Sequence, residues 1–338
     1  MLSLRRMFTA LGAAAPPAPN AAESPGPGVR VTAEELIALR LRARDLRLGN
    51  RQPALSTLAG GHASRFRGRG MDYLESRAYQ AGDDIRNMDW RVTARAAGRP
   101  HVKLYQEERE RPVVVMVDLG PGMFFGTRGA FKSVVAARAA ALIGWAAVHH
   151  HDRIGALLFN GGHRELRPLG GQRGVMRLVR ELVSAGEPQA DASQVHAGAL
   201  TAALLRLRRV ARPGGLVFIL SDFYGIDDET HVHLQRLRQH SDVVACQIVD
   251  ALEIRPPPPG RYAISDGLRS DILDTRSQAV QAAYARYFAG HHARVRELMR
   301  RGSVSLLRIA TSDDVVERLS RGLAGQARSG GSPAEAAA

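Results

Sequence analysis

From position 113 onward the chain alternates between short unbroken apolar runs and longer stretches in which apolar residues recur every three or four positions. The runs 113–118 ("VVVMVD"), 154–159, 216–221 and 243–249 predict strands covered on both faces, since a strand with one wet face would alternate apolar and polar residues. Between them the spacing predicts helices over 129–149, 171–184, 195–210 and through "DDETHVHLQRLRQH" at 227–240. Strands and helices in alternation imply an α/β fold, a doubly wound, mostly parallel sheet. The prolines of "IRPPPPG" (254–260) break the pattern, and a helix over 277–301 with a strand over 303–310 is expected to complete or cap the same sheet.

Upstream, "TAEELIALRLRARDLRL" (32–48) reads as an amphipathic helix with Thr32 as N-cap and Glu35 three residues on, a capping-box pattern. An Arg- and Gly-rich loop follows, "SRFRGRG" (64–70), and then strand-like pieces broken by turn signals, an extended segment expected to lie against the next domain. The resulting partition is a disordered Ala/Pro/Gly-rich segment (1–30), a helix with an extended segment (31–110), an α/β core (111–255), an extension completing the core (256–323) and a disordered tail (324–338).

Composition qualifies this reading in three places. The net charge of +14 would suggest a polyanionic partner, but the 47 basic residues are scattered. Only Lys103 and Lys132 among them are lysine, a skew that GC-rich coding produces as readily as phosphate contacts. Scattered charge speaks for solubility more than for a nucleic-acid footprint. Cys246, the only cysteine, lies inside "VVACQIV", so it reads as an apolar strand residue in a reducing compartment. The N-terminus resembles a signal peptide only weakly, its apolar stretch being rich in Ala and Gly, and a cytoplasmic location is expected. The apolar stretch 134–148 carries Arg138 and falls short of the roughly 20 residues of a transmembrane helix, which leaves at most peripheral membrane association.

The most distinctive stretch is "GDDIRNMDWRVTAR" (82–95). Gly82 and Asp83 make a turn, and the charges of Asp83, Arg86, Asp89 and Arg95 surround Trp90 while interleaving with Ile85 and Met88. Such spacing suits an ion-pair lattice that clamps the N-terminal segment on the core, the other reading being a partner-docking surface. Gly82-Asp83-x-x-Arg86-x-x-Asp89-Trp90-x-x-x-Ala94-Arg95, together with "HDRIGALLF" (151–159) and "GGLVFILSDF" (214–223), resembles the bacterial domain-of-unknown-function 58 family over about 71–249. The resemblance implies a von Willebrand factor A-like domain, encoded beside a MoxR-type AAA+ ATPase and assisting it in the maturation or assembly of other proteins. It also implies a Mg²⁺ site of the metal-ion-dependent adhesion type: Asp-x-Ser-x-Ser on a first loop, Thr on a second, Asp on a third.

Position by position, the chain departs from that pattern. Asp118 matches the first Asp, but Gly120 and Gly122 stand where the serines would be. Gly198 stands where the Thr would lie, with Ser193 and Thr201 as the nearby hydroxyls, and Asp222 matches the third-loop Asp, with Asp227 and Asp228 behind it. Mg²⁺ demands an octahedron of oxygens, so Asp118 and Asp222 alone imply a degenerate site with weak or absent binding, and no other cofactor is expected. Gly120, Gly122 and Asp227 are then expected on loops at the binding edge of the fold. On the bland reading both aspartates hydrogen-bond loop amides or cap helices.

Other motifs are weaker. Consecutive helical residues diverge, so His149, His150 and His151 read as a helix terminus and not as a metal tract. "FNGGHRELRPLGGQRG" (159–174) lacks the Walker Lys-Ser/Thr and reads as a hairpin leading into a helix. No catalytic constellation is found. The function expected is therefore a non-enzymatic protein-interaction module partnering a MoxR-type AAA+ ATPase. The alternatives are a metal-dependent hydrolase using Asp118 and Asp222, with Asp227 as a further ligand, and an arginine-rich nucleic-acid binder.

Overall fold

The computed structural model of the chain describes residues 28–48, 71–96, 98–107, 110–160, 162–186, 198–265 and 270–328. They fall into two compact units, the smaller within residues 52–110. In chain order the larger unit begins with helix α1 (Ala33–Arg42). The smaller holds strand β1 (Met71–Ala78), a 3-10 turn at Ile85–Asn87, the short helix α2 (Trp90–Arg95) and strand β2 (His101–Glu107), with β1 and β2 paired antiparallel.

From residue 111 the larger unit resumes. Its elements are β3 (Pro112–Asp118), α3 (Lys132–His149), β4 (Arg153–Asn160), β5 (Gly162–Gly170), α4 (Gly171–Ala185), α5 (Ala199–Val210) and β6 (Gly215–Ser221). They are followed by α6 (Thr230–Arg238), β7 (Ser241–Val249), the single-turn α7 (Ala251–Ile254), a hairpin of β8 (Arg261–Ser265) and β9 (Ser270–Asp274), α8 (Gln278–Arg301), β10 (Ser305–Ala310) and α9 (Val315–Arg328). The sheet order is β10-β7-β6-β3-β4-β5, parallel throughout except for β5, which returns antiparallel along β4. This is the doubly wound, mostly parallel α/β sheet that the apolar runs imply.

Its two faces are read directly from residue parity. Val113, Val115 and Val117 pack with α1, α3, α4 and α9, whereas Val114 and Met116 pack with α5, α6 and α8. Every residue of β6 is buried, as expected of a central strand with helices on both sides. The chain order reverses between the adjacent strands β3 and β6, and the crevice at their carboxyl ends is where an open α/β sheet binds ligands.

Helix α3 explains the apolar stretch 134–148: a helix apolar all round is buried all round, here under α1, α4 and α9. Trp145 donates its indole N–H to the Leu36 carbonyl (2.9 Å), and Arg138 meets Glu35 at 2.5 Å. Thr32 accepts from the Glu35 amide, as its N-cap position predicts, although the Glu35 carboxylate pairs with Arg138. Among the described residues no helix is long and apolar enough to cross a membrane.

Several boundaries differ from the expected ones. Helix α1 groups with the sheet and not with the 71–110 segment, because its apolar face needs α3 to cover it. Order begins before residue 31, since Phe131 donates its amide to the Gly28 carbonyl (2.8 Å) at the start of α3. At the other end α9 runs on through 324–328, placed above in the tail. Strand β10 pairs with β7, so the C-terminal extension supplies a strand of the main sheet. Residues 1–27 and 329–338, expected to be disordered, and the loop 64–70 lie outside the described residues.

Candidate functional site

Asp118 closes β3 and Asp222 follows β6, so the switch point brings both carboxylates to one crevice. Asp118 accepts from the Ser221 hydroxyl (2.5 Å) and from the Gly120 amide (2.8 Å). Burial, with the nearby Asp222 charge adding to it, pushes the Asp118 carboxyl up to about 7. The loop glycines sit close to the acids: a Cβ at Gly122 would press 2.7 Å from Asp222 Oδ2, and one at Gly120 would lie 3.0 Å from Asp118 Oδ1. Phe223, buried next to Asp222, holds a left-handed φ of 61°. That conformation is costly for an aromatic residue and is held by its packing against the helical face and by its amide on Ser221 Oγ (2.9 Å).

What faces these acids is a lysine. Lys132 is the first residue of α3, only 1% exposed, and its Nζ donates to Asp222 Oδ2 (2.9 Å) and Glu253 Oε1 (2.8 Å). The Tyr224 ring lies 5.5 Å from the same ammonium and stacks on His291, whose Nε2 meets the Asp222 carbonyl at 2.8 Å. Burial by itself would lower the lysine's pKa, but the Asp222 and Glu253 charges outweigh it and hold the ammonium above the ordinary lysine value. Burial drives the His291 imidazole the other way, down to about 4. Glu253 in turn belongs to a capping box with Asp250, whose carboxylate takes the Thr127 amide and hydroxyl and the Thr311 hydroxyl.

A Mg²⁺ ion of the adhesion-site type does not fit these residues as they stand. Gly120 and Gly122 supply no hydroxyl, both oxygens of Asp118 are engaged by Ser221 and Gly120, and Asp222 spends one oxygen on Lys132 and the other on the Tyr224 amide. Among the described residues no group of three or more His, Cys, Asp or Glu side chains is arranged to hold a metal. The second-loop hydroxyl is committed elsewhere: Thr201 donates to Asp227, which also accepts from Thr230 and caps the turn leading into α6, while Ser193 lies outside the described residues. Asp227 therefore does not join Asp118 and Asp222 as a ligand. The three histidines diverge as well, His149 and His150 meeting the carbonyls of Arg40 and Leu46 and His151 taking the left-handed φ that ends α3.

Lys132, Ser221, Glu253 and His291 were absent from the sequence-derived site. One signal pointed to Lys132: lysine is nearly absent from a chain so rich in arginine, and a cation on the first turn of a helix opposes the helix dipole.

The sequence profile of the family described as protein of unknown function DUF58 matches residues 75–294. The chain belongs to this family. An uncharacterized protein of Mycobacterium tuberculosis and one of Mycobacterium bovis are each 31% identical to it over 287 residues, spanning 84% of this chain and 89% of theirs. Among solved structures, a conserved hypothetical protein BatB from Bacteroides thetaiotaomicron aligns with 65% of this chain and all of its own at 11% identity and a TM-score of 0.40. An aerotolerance-related membrane protein from Bacteroides fragilis aligns with 64% of this chain and 98% of its own, at 12% identity and a TM-score of 0.42.

Within this DUF58 chain the signature stretch 82–95 forms less of an ion-pair lattice than its charges suggest. Asp83 pairs with Arg77 (2.7 Å) and accepts from the Gln80 amide, while Asp89 accepts from Ser76 and caps α2 through the Arg91 and Val92 amides. The acids are used as caps because short helical turns leave amides without partners. Arg86 and Arg95 are exposed and have no ion-pair partner among the described residues. Gly82 takes a φ of 109° at the turn, and Ile85 and Trp90 are 63% and 65% exposed.

Proposed function

We propose that this DUF58 chain is a non-enzymatic protein-interaction module of von Willebrand factor A-like type, the cytoplasmic partner or adaptor of a MoxR-type AAA+ ATPase in protein maturation or assembly. The observation that carries the reading is the signature stretch itself. It presents a tryptophan and an isoleucine to solvent beside two exposed arginines, Arg86 and Arg95, and Trp and Arg are the residues that dominate binding hot spots. The strand-end carboxylates support the non-enzymatic part, being tied to Lys132, Ser221 and loop amides in a degenerate adhesion site.

Affinity purification of the full chain from its native host, with crosslinking and mass spectrometry, tests this. Recovery of an AAA+ ATPase is expected. Trp90→Ala is expected to cut it at least tenfold, because a central hot-spot tryptophan is worth about 2 kcal/mol or more. Recovery of no ATPase from the wild-type chain overturns the partner, and undiminished recovery with Trp90→Ala overturns the surface.

A further inference from the structure

At the switch point of the sheet, a position where a divalent ion would organise the acids of an adhesion site, the acids are organised instead by a side chain. Lys132 Nζ lies within 2.9 Å of Asp222 and 2.8 Å of Glu253, beneath the Tyr224 ring, with its side chain 2% exposed. The first loop has adapted to that arrangement. The Cβ of any residue but glycine at 122 would press within 2.7 Å of the Asp222 oxygen that accepts from the ammonium, so the serine hydroxyl of a metal site and this position of Asp222 exclude one another. Phe223, held in a left-handed conformation by its buried ring, fixes the backbone from which Asp222 projects.

Amino-acid usage adds an independent observation. Of 47 basic residues only two are lysine, so almost everywhere a positive charge is wanted the chain uses arginine. Position 132 keeps an ammonium although it lies on the first turn of a helix, where a cation is disfavoured. The ammonium is a compact charge with three donors, and two of them reach separate carboxylates, Asp222 and Glu253.

We propose that the Lys132 ammonium is a built-in cation standing in for the divalent ion, so that this edge of the fold is assembled without any metal. The inference deepens the reading of a degenerate adhesion site and does not depend on which partner the chain binds. It makes the crevice at Asp118 and Asp222 a permanent structural junction, joining the start of α3, the end of β6 and the capping box of α7.

The scarcity of lysine makes the test direct. Labelling the full chain with ¹⁵N-lysine gives only two side-chain ammonium resonances, and Lys103→Arg assigns them without touching the site. The Lys132 resonance is expected to be protected from exchange at neutral pH, unshifted by millimolar Mg²⁺ and not broadened by Mn²⁺. In parallel, the melting temperature of the wild-type chain is expected to be identical in chelator and in Mg²⁺. A saturable Mg²⁺-dependent shift or stabilisation, selective Mn²⁺ broadening of this resonance, or the absence of a protected ammonium signal would each overturn the proposal. Because these measurements use the chain alone, they are separate from failure to recover an ATPase.

Discussion

Lys132, Asp222 and Glu253 were all taken out of water together, so each depends on the others for its solvation. Lys132→Met leaves two buried carboxylates unpaired and is expected to cost about 3–5 kcal/mol in urea denaturation. Adding Asp222→Asn and Glu253→Gln to it is expected to recover a large part of that loss. Asp118 behaves differently, because its carboxyl is raised from the ordinary range to about 7. The folded chain then holds a proton that the unfolded chain has released, so stability falls as pH rises from about 4 toward about 7. Asp118→Asn removes this slope. The stability of the wild type minus that of the variant is expected to decrease between about pH 4 and about pH 7, by at most about 1.4 kcal/mol per pH unit. His291, lowered to about 4, acts in the opposite sense, its stability being lost as pH falls below about 6.5, and it is common to both proteins, so the difference isolates Asp118. A difference that is flat or rises with pH would refute the assignment.

Among the elements, the loop after β3 and the helix α1 carry the clearest consequences. Gly122→Ala places a methyl 2.7 Å from Asp222 Oδ2 and is expected to destabilise by about 1–3 kcal/mol, measured by thermal or urea unfolding. Thr32→Ala removes the hydroxyl that caps α1 and is expected to cost about 1 kcal/mol; a neutral result would mean that packing on α3 alone holds the helix. Helix α9 shows why one element was missed in reading the sequence. Its glycines lower helix propensity, and a Cβ at Gly322 would come 2.3 Å from a methyl of Leu307, so any other residue there would have to push that side chain aside. Similarly, helix α3 begins at Lys132 and not at 129, because Gly129 adopts a φ of 78° and Phe131 is its N-cap.

For the molecule as a whole, the 47 basic residues outnumber the 33 acidic ones, so local pairing still leaves a net charge of +14. Arg164 meets Glu181, Arg206 meets Glu165, Arg276 meets Asp274 and Arg321 meets Glu317, all near the surface, where each pair contributes little stability. Like Arg173, Arg208, Arg209 and Arg236 elsewhere on the surface, Arg86 and Arg95 of the signature stretch are exposed and lack such partners among the described residues. If that surface is where an ATPase docks, capture by the wild-type chain is expected to weaken as salt rises, and Arg86→Ala with Arg95→Ala is expected to reduce that dependence. Binding measured at two ionic strengths checks it; a salt-insensitive interaction would place the interface elsewhere.

The periodicity of apolar residues was enough for the buried strands β3, β4, β6 and β7, for most helices and for the α/β class, because burial on both faces leaves unbroken apolar runs whatever the neighbours are. The signature residues were enough for the family, and strand ends were enough to mark Asp118 and Asp222. The partners of those aspartates were out of reach. Lys132 meets Asp222 across 90 positions and Glu253 across 121, Ser221 meets Asp118 across 103, and no spacing rule links residues so far apart. Only the winding of the sheet, which sets β3 beside β6 and the start of α3 above both, turns two candidate metal ligands into acids facing a buried ammonium.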